Sequence, residues 1–116
     1  MYKKIVNLLL LAAFLMITPA IAAITITRVE PANWWTGMKK TEFQILVYGP
    51  NIGSSKVTVN YPGVSLKEAT KVENPNYVFL YLNVSKNAKA GMVPLIFTNG
   101  QDKFTYSYPL KNRTDK

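Results

Sequence analysis

An all-β, immunoglobulin-like antiparallel sandwich of about seven strands is the fold this sequence predicts. Three observations carry the prediction. After residue 23 the apolar residues recur with a period of two, the signature of half-buried strands. Clusters of Gly, Pro and Asn break the chain at roughly the 8–12-residue spacing of a sandwich. No stretch of that region has the 3.6-residue apolar spacing of an amphipathic helix. A small barrel satisfies the same periodicity and stands as the alternative architecture.

Taken in order, Ile24 to Val29 reads as the first strand, with Ile24 and Ile26 alternating against Thr25 and Thr27. Val29 falls out of phase, which predicts a bulge or bend near Arg28. Pro31 ends the strand and a segment with two adjacent tryptophans follows. Thr41 to Tyr48 is the second strand, with Phe43, Ile45 and Val47 on one face. Gly49, Pro50, Asn51 and Gly53 open a loop. Lys56 to Asn60 is a short strand closed by Tyr61-Pro62-Gly63, where Pro at the second and Gly at the third turn position suit a type II turn. Val64 to Val72 reads as a strand, a kink and a second short strand, because Glu68, Ala69 and Thr70 blur the alternation. Tyr77 to Val84 has the cleanest pattern, Val78, Leu80, Leu82 and Val84 against Tyr77, Phe79, Tyr81 and Asn83. Met92 to Thr98 follows, and Pro94 inside it predicts an edge position or a bulge. Asn99-Gly100 predicts a type I′ hairpin into Lys103 to Leu110.

Three segments organise the 116 residues. Residues 1–22 have the make-up of a cleaved secretory signal: Lys3 and Lys4, an apolar run from Leu8 to Ile17, and small Ala20 and Ala22 before the cleavage point. Pro19 interrupts that run before the about 20 apolar residues a spanning helix needs, so no membrane association is expected after cleavage. Residues 23–110 form the sandwich, and 111–116 a polar tail or linker. The expected location is therefore outside the inner membrane, in the periplasm. The sequence has no Cys, so neither a disulfide framework nor a lipid-bearing cysteine is available.

Composition also narrows the chemistry. With neither Cys nor His, thiol and imidazole catalysis are excluded, no metal site or cofactor is expected, and the six carboxylates of the mature chain are isolated from one another in sequence. A net charge of +8 comes from scattered lysines without a nucleic-acid-binding motif, so no nucleic-acid partner is expected. The chain is not expected to be an enzyme by itself.

The most distinctive stretch is Arg28 to Gly49, RVEPANWWTGMKKTEFQILVYG, with its RVEP, WW and GMK in succession. Together with NIGSSKVTVNYPGVSLKEATKVENPNYVFLYLNVS, it resembles the N-terminal immunoglobulin-like domain of Bacteroidetes neopullulanase and cyclomaltodextrinase-type enzymes, of the α-amylase family (glycoside hydrolase family 13). The resemblance implies a non-catalytic sandwich preceding a (β/α)₈ barrel that hydrolyses α-1,4-glucosidic bonds in starch, cyclodextrins or pullulan. It further implies contacts with that barrel, with a second copy in a homodimer, or with the edge of the glucan cleft. The sequence stops at Lys116, where the linker would lead on, so the chain is expected without its barrel, as a fragment or as a detached module.

Two groups of residues are candidates for contact. Adjacent residues of an extended strand point to opposite sides, so one of Trp34 and Trp35 is expected inside and the other outside. An exposed indole suits either a neighbouring domain or the apolar face of glucose, with Asn33, Met38 and Lys39 beside it. The second group is Tyr77, Phe79 and Tyr81, which would form an aromatic outer face for a barrel or dimer contact, or simply stand covered or solvated. A stand-alone carbohydrate-binding module using the surface tryptophan, and a generic cell-surface interaction domain, are the competing readings.

Overall fold

Alternation in the sequence becomes the inside and outside of two facing sheets. The computed structural model describes residues 23–113; the predicted signal peptide and the end of the tail lie outside them. The strands are β1 (Arg28–Glu30), β2 (Trp34–Trp35), β3 (Glu42–Tyr48), β4 (Lys56–Val59), β5 (Val64–Lys71), β6 (Tyr77–Val84), β7 (Gly91–Asn99) and β8 (Asp102–Lys111). One sheet has the order β1-β3-β6-β5 and the other β2-β8-β7-β4. With β2 set aside, these are the ABED and GFC sheets of an immunoglobulin constant-type sandwich. The immunoglobulin-like reading is thereby established over the barrel.

The core is made by the inward residues of the paired strands. Ile45 and Val47 of β3 and Val78, Leu80 and Leu82 of β6 are buried from one side. Val93, Leu95 and Phe97 of β7 and Tyr108 and Leu110 of β8 meet them from the other. Each such apolar side chain contributes on the order of 1.5–3 kcal/mol by leaving water. That is how a chain without disulfides holds two sheets together. The described strands run between two ends of the sandwich. At one end, here the near end, lie the tryptophan segment, the Tyr61–Gly63 turn, the β6–β7 loop and the C-terminal residues 111–113. The far end carries residues 49–55, the Asn74–Asn76 turn and the β7–β8 hairpin.

Four local expectations are corrected, each for an identifiable reason. The first strand begins at Arg28 rather than Ile24, because its neighbour β3 ends at Tyr48 and the Gly49 N–H is donated to Asn76 O instead. Ile24 and Ile26 still pack half-buried on the core. A short eighth strand, Trp34–Trp35, joins the second sheet and pairs parallel with β8, so the sandwich is not wholly antiparallel. The kinked strand is a single one, β5, with a bulge between Leu66 and Glu68. In the hairpin Asn99 pairs with Asp102, leaving Gly100 and Gln101 as the central residues. Only Gly100 takes a positive φ, of 63°, the pattern of a type II′ rather than a type I′ turn. Tyr61-Pro62-Gly63, by contrast, turns as predicted, with Gly63 at φ 83° and Val64 N–H donating to Tyr61 O at 3.1 Å. This turn carries the chain from β4 in one sheet to β5 in the other. Pro94 lies inside its sheet but one residue beyond Leu95, the last β7 residue paired with β4, so it interrupts no ladder with that strand.

Replacing Phe97, fully buried where the sheets face each other, by Ala is expected to cost about 3–5 kcal/mol. Thr105→Ala on the exposed face should stay within about 0.5 kcal/mol. Urea unfolding checks both, through a shift in midpoint at unchanged slope.

Candidate functional site

The tryptophan segment is fixed by a run of stacked rings. The chain leaves β1 through a cis Glu30–Pro31 bond and crosses to the other sheet as β2. Trp34, opposite Leu110, turns inward and lies flat on Phe43, with centroids 4.6 Å apart and planes within 2°. Phe43 in turn stacks on Tyr108 at 6.1 Å. Tyr108 is 1% exposed, and its hydroxyl donates to Pro31 O at 2.8 Å, closing the run back onto the crossing segment. Burial, and secondarily the Tyr106 hydroxyl, push the Tyr108 phenol well above the ordinary tyrosine range. It therefore stays protonated and remains a donor.

Trp35 takes the opposite direction. It is 38% exposed, pairs with Lys111, and meets Trp34 at a tilt, with centroids 5.6 Å apart and planes at 51°. Thr36 N–H donates to Lys111 O at 2.8 Å, which extends the parallel pairing by one step. Met38 and Lys39 lie further on and line an open groove with Gly37, Lys86 and Arg113. The Arg113 guanidinium approaches Gly37 O at 3.5 Å. Lys39, Lys86 and Arg113 bring three cationic side chains to this opening.

The five residues singled out in this segment are thus divided. Trp34 and Asn33 face inward, Trp35 faces out, and Met38 and Lys39 belong to a groove beside it. Among the described residues, Asn33 Nδ2 and Trp34 Nε1 are both buried without a hydrogen-bond partner. The Asn33 amide nitrogen is thus buried rather than open to solvent. Each unpaired buried donor costs about 1–3 kcal/mol, a cost set against the stacking and burial of the Trp34 ring.

Tyr77, Phe79 and Tyr81 all lie on the outer face of the β1-β3-β6-β5 sheet. The register adds two residues that sequence reading did not connect with them: Leu46 stands opposite Phe79 and Tyr48 opposite Tyr77. The Tyr48 and Tyr77 rings meet at 4.8 Å, and the Arg28 guanidinium lies 5.4 Å from the Tyr48 centroid, within cation–π range. An apolar, mostly aromatic face thus crosses two neighbouring strands, with Tyr81 its most exposed ring.

A second near-end opening went unrecognised in the sequence. Tyr61, Pro62 and Gly63 from the β4–β5 turn face Ser85, Asn87 and Lys89 from the β6–β7 loop across a groove of about 530 Å³. Its residues are far apart in the chain, and only the topology brings them together. Among the described residues no group of three or more carboxylates is placed to hold a metal ion.

Two predictions follow from the stacked rings. Trp34→Ala should destabilise the domain by about 3 kcal/mol, whereas Trp35→Ala should change stability by under about 1 kcal/mol; thermal or urea melts separate them. Tyr108→Phe should cost about 1–2 kcal/mol at neutral pH through the orphaned Pro31 carbonyl. Because the unfolded chain ionises this tyrosine near pH 10 while the folded chain does not, stability falls as pH rises past about 10. The substitution should flatten that alkaline loss in pH-dependent melts.

A family model described as the N-terminal domain of cyclomaltodextrinase matches residues 28–114, from the first residue of β1 to just past the last described residue. The match takes in the tryptophan segment, both near-end grooves and the aromatic sheet face. This protein belongs to the cyclomaltodextrinase N-terminal domain family, whose members are accessory domains of amylase-type enzymes.

Proposed function

We propose that the chain is the non-catalytic N-terminal module of a secreted, periplasmic hydrolase of α-1,4-glucans, and that its near end docks on the catalytic barrel of that enzyme. The observation that carries this reading is the lacing of the tryptophan segment to the C-terminal strand. Trp34 and Trp35 pair with Leu110 and Lys111, so a domain following residue 113 emerges beside Trp35, Met38 and Lys39. An exposed indole and an adaptable methionine at a domain exit suit an interdomain contact. The aromatic face of Tyr48, Tyr77, Phe79 and Tyr81 is assigned to a second contact, with the barrel or with a second copy in a dimer. Secretion rests on Lys3, Lys4, the Leu8–Ile17 run and Ala20 and Ala22. Trp35 also favours a second reading, a free-standing carbohydrate-binding module, because its ring is the indole presented to solvent.

Grafting this chain in place of the N-terminal domain of a cyclomaltodextrinase tests the first reading. The chimera is expected to keep cyclodextrin hydrolysis and to melt above the barrel alone. Trp35→Ala together with Met38→Ala should remove most of that added stability. A chimera no more stable or active than the bare barrel would overturn the docking role.

A further inference from the structure

We infer that the groove between the Tyr61–Gly63 turn and the β6–β7 loop is a binding site for a short stretch of neutral glucan, separate from the tryptophan segment. The inference rests on the reading of the chain as part of an α-glucan hydrolase. The groove is built rather than incidental. Ser85 N–H donates to Gly63 O at 2.7 Å, and the Tyr61 hydroxyl donates to Lys89 O at 2.7 Å, so two hydrogen bonds tie its walls together. Ala88 N–H donates to Ser85 O at 3.1 Å and folds the loop upon itself.

Two glycines allow the close approach. A Cβ on Gly63 would come within 2.9 Å of the Ala88 Cβ, and its φ of 83° already excludes most side chains. A Cβ on Gly91 would lie 2.5 Å from the Tyr61 hydroxyl. Either residue with a side chain would push the walls apart or displace the tyrosine.

The lining fits a sugar better than an ion. Tyr61 and Pro62 supply apolar surface for the C–H faces of pyranose rings, while Ser85, Asn87 and Lys89 bring a hydroxyl, an amide and an ammonium to the rim. Within the described chain these three side chains have no hydrogen-bond partner of their own, so they are available to sugar hydroxyls. The volume of about 530 Å³ falls in the roughly 300–1,000 Å³ range of small-ligand sites. This groove and the neighbouring one of Lys39, Lys86 and Arg113 share the β6–β7 loop, which places the sugar site at the end of the sandwich from which the chain exits.

The test is a titration of the ¹⁵N-labelled full chain with maltoheptaose, followed by amide chemical shifts. Shifts are expected at Gly63, Ser85, Asn87 and Lys89, and Asn87→Ala should weaken binding by about fivefold, the equivalent of one lost hydrogen bond. Lys89→Ala, whose backbone carbonyl still receives the Tyr61 hydroxyl, should weaken it too, with the melting temperature of both variants unchanged. Shifts centred on Trp35 and Met38, no shifts at millimolar sugar, or unchanged affinity in both variants would overturn the site. The grafted enzyme's melting in the absence of sugar keeps the two questions apart. A chimera stabilised by this chain whose groove ignores maltoheptaose would remove this inference alone, and an unstabilised chimera would remove the docking role.

Discussion

The stack of Trp34 on Phe43 on Tyr108 is the interaction on which the near end of this sandwich depends. Each ring comes from a different strand: Trp34 from β2, Phe43 from β3 and Tyr108 from β8. The stack therefore ties the two sheets at the point where the chain crosses between them. The Tyr108 hydroxyl then satisfies the carbonyl of Pro31, the residue at the start of the crossing. With Trp34 locked inward, the alternation of an extended chain forces Trp35 outward. Exposure of the second indole is thus a consequence of burying the first.

The two ends differ in how their polar groups are used. At the far end asparagines and serines are committed to one another. Asn51 N–H donates to Asn76 Oδ1 at 2.9 Å, Asn99 Nδ2 to Ser54 Oγ at 2.9 Å, and Asn76 N–H to Asn74 Oδ1 at 3.0 Å. Gly53 N–H reaches Pro75 O at 2.8 Å, and Ile52 is driven into the core beneath this network. Asn51 adopts φ 54°, a left-handed position that Asn tolerates better than most residues. These hydrogen bonds tie the far-end loops together beside a groove of about 310 Å³ that Asn51, Ile52 and Asn99 help to line. The near end instead keeps Ser85, Asn87, Lys86 and Lys39 on the rims of open grooves.

The sequence disclosed what period two can disclose. Runs such as Tyr77–Val84 and Glu42–Tyr48 have burial patterns that match their alternation residue for residue, because each is paired on both sides and has only one inward face. Short or one-sided elements escaped. Trp34–Trp35 is a strand only because β8 offers it a parallel partner, which no local pattern reveals. The hairpin slipped by one position because Asn99 could finish β7 by pairing with Asp102, leaving Gly100 to supply the positive φ alone. The opposite directions of the tryptophans were legible from backbone geometry, but which one turns inward depended on Phe43. The groove of Tyr61, Ser85, Asn87 and Lys89 was not legible at all, since its two walls join strands of different sheets.

The carboxylates of the described residues are spread over the molecule. Glu30 lies on the outer face of one sheet, 3.8 Å from Arg28. Glu68 accepts a hydrogen bond from Thr70 on the same sheet, Glu73 sits in the far-end turn region and Asp102 in the far-end hairpin. Glu42 is exposed at the near-end start of β3, opposite Asn83, and none of these five carboxylates lines either near-end groove. Glycoside cleavage by paired carboxyls needs two of them about 5–10 Å apart across the scissile bond. In the proposed function the near end supplies orientation, an apolar and amide-lined surface for a neighbouring domain or a length of polymer. Positioning of that kind lowers the entropic part of a barrier without any catalytic group.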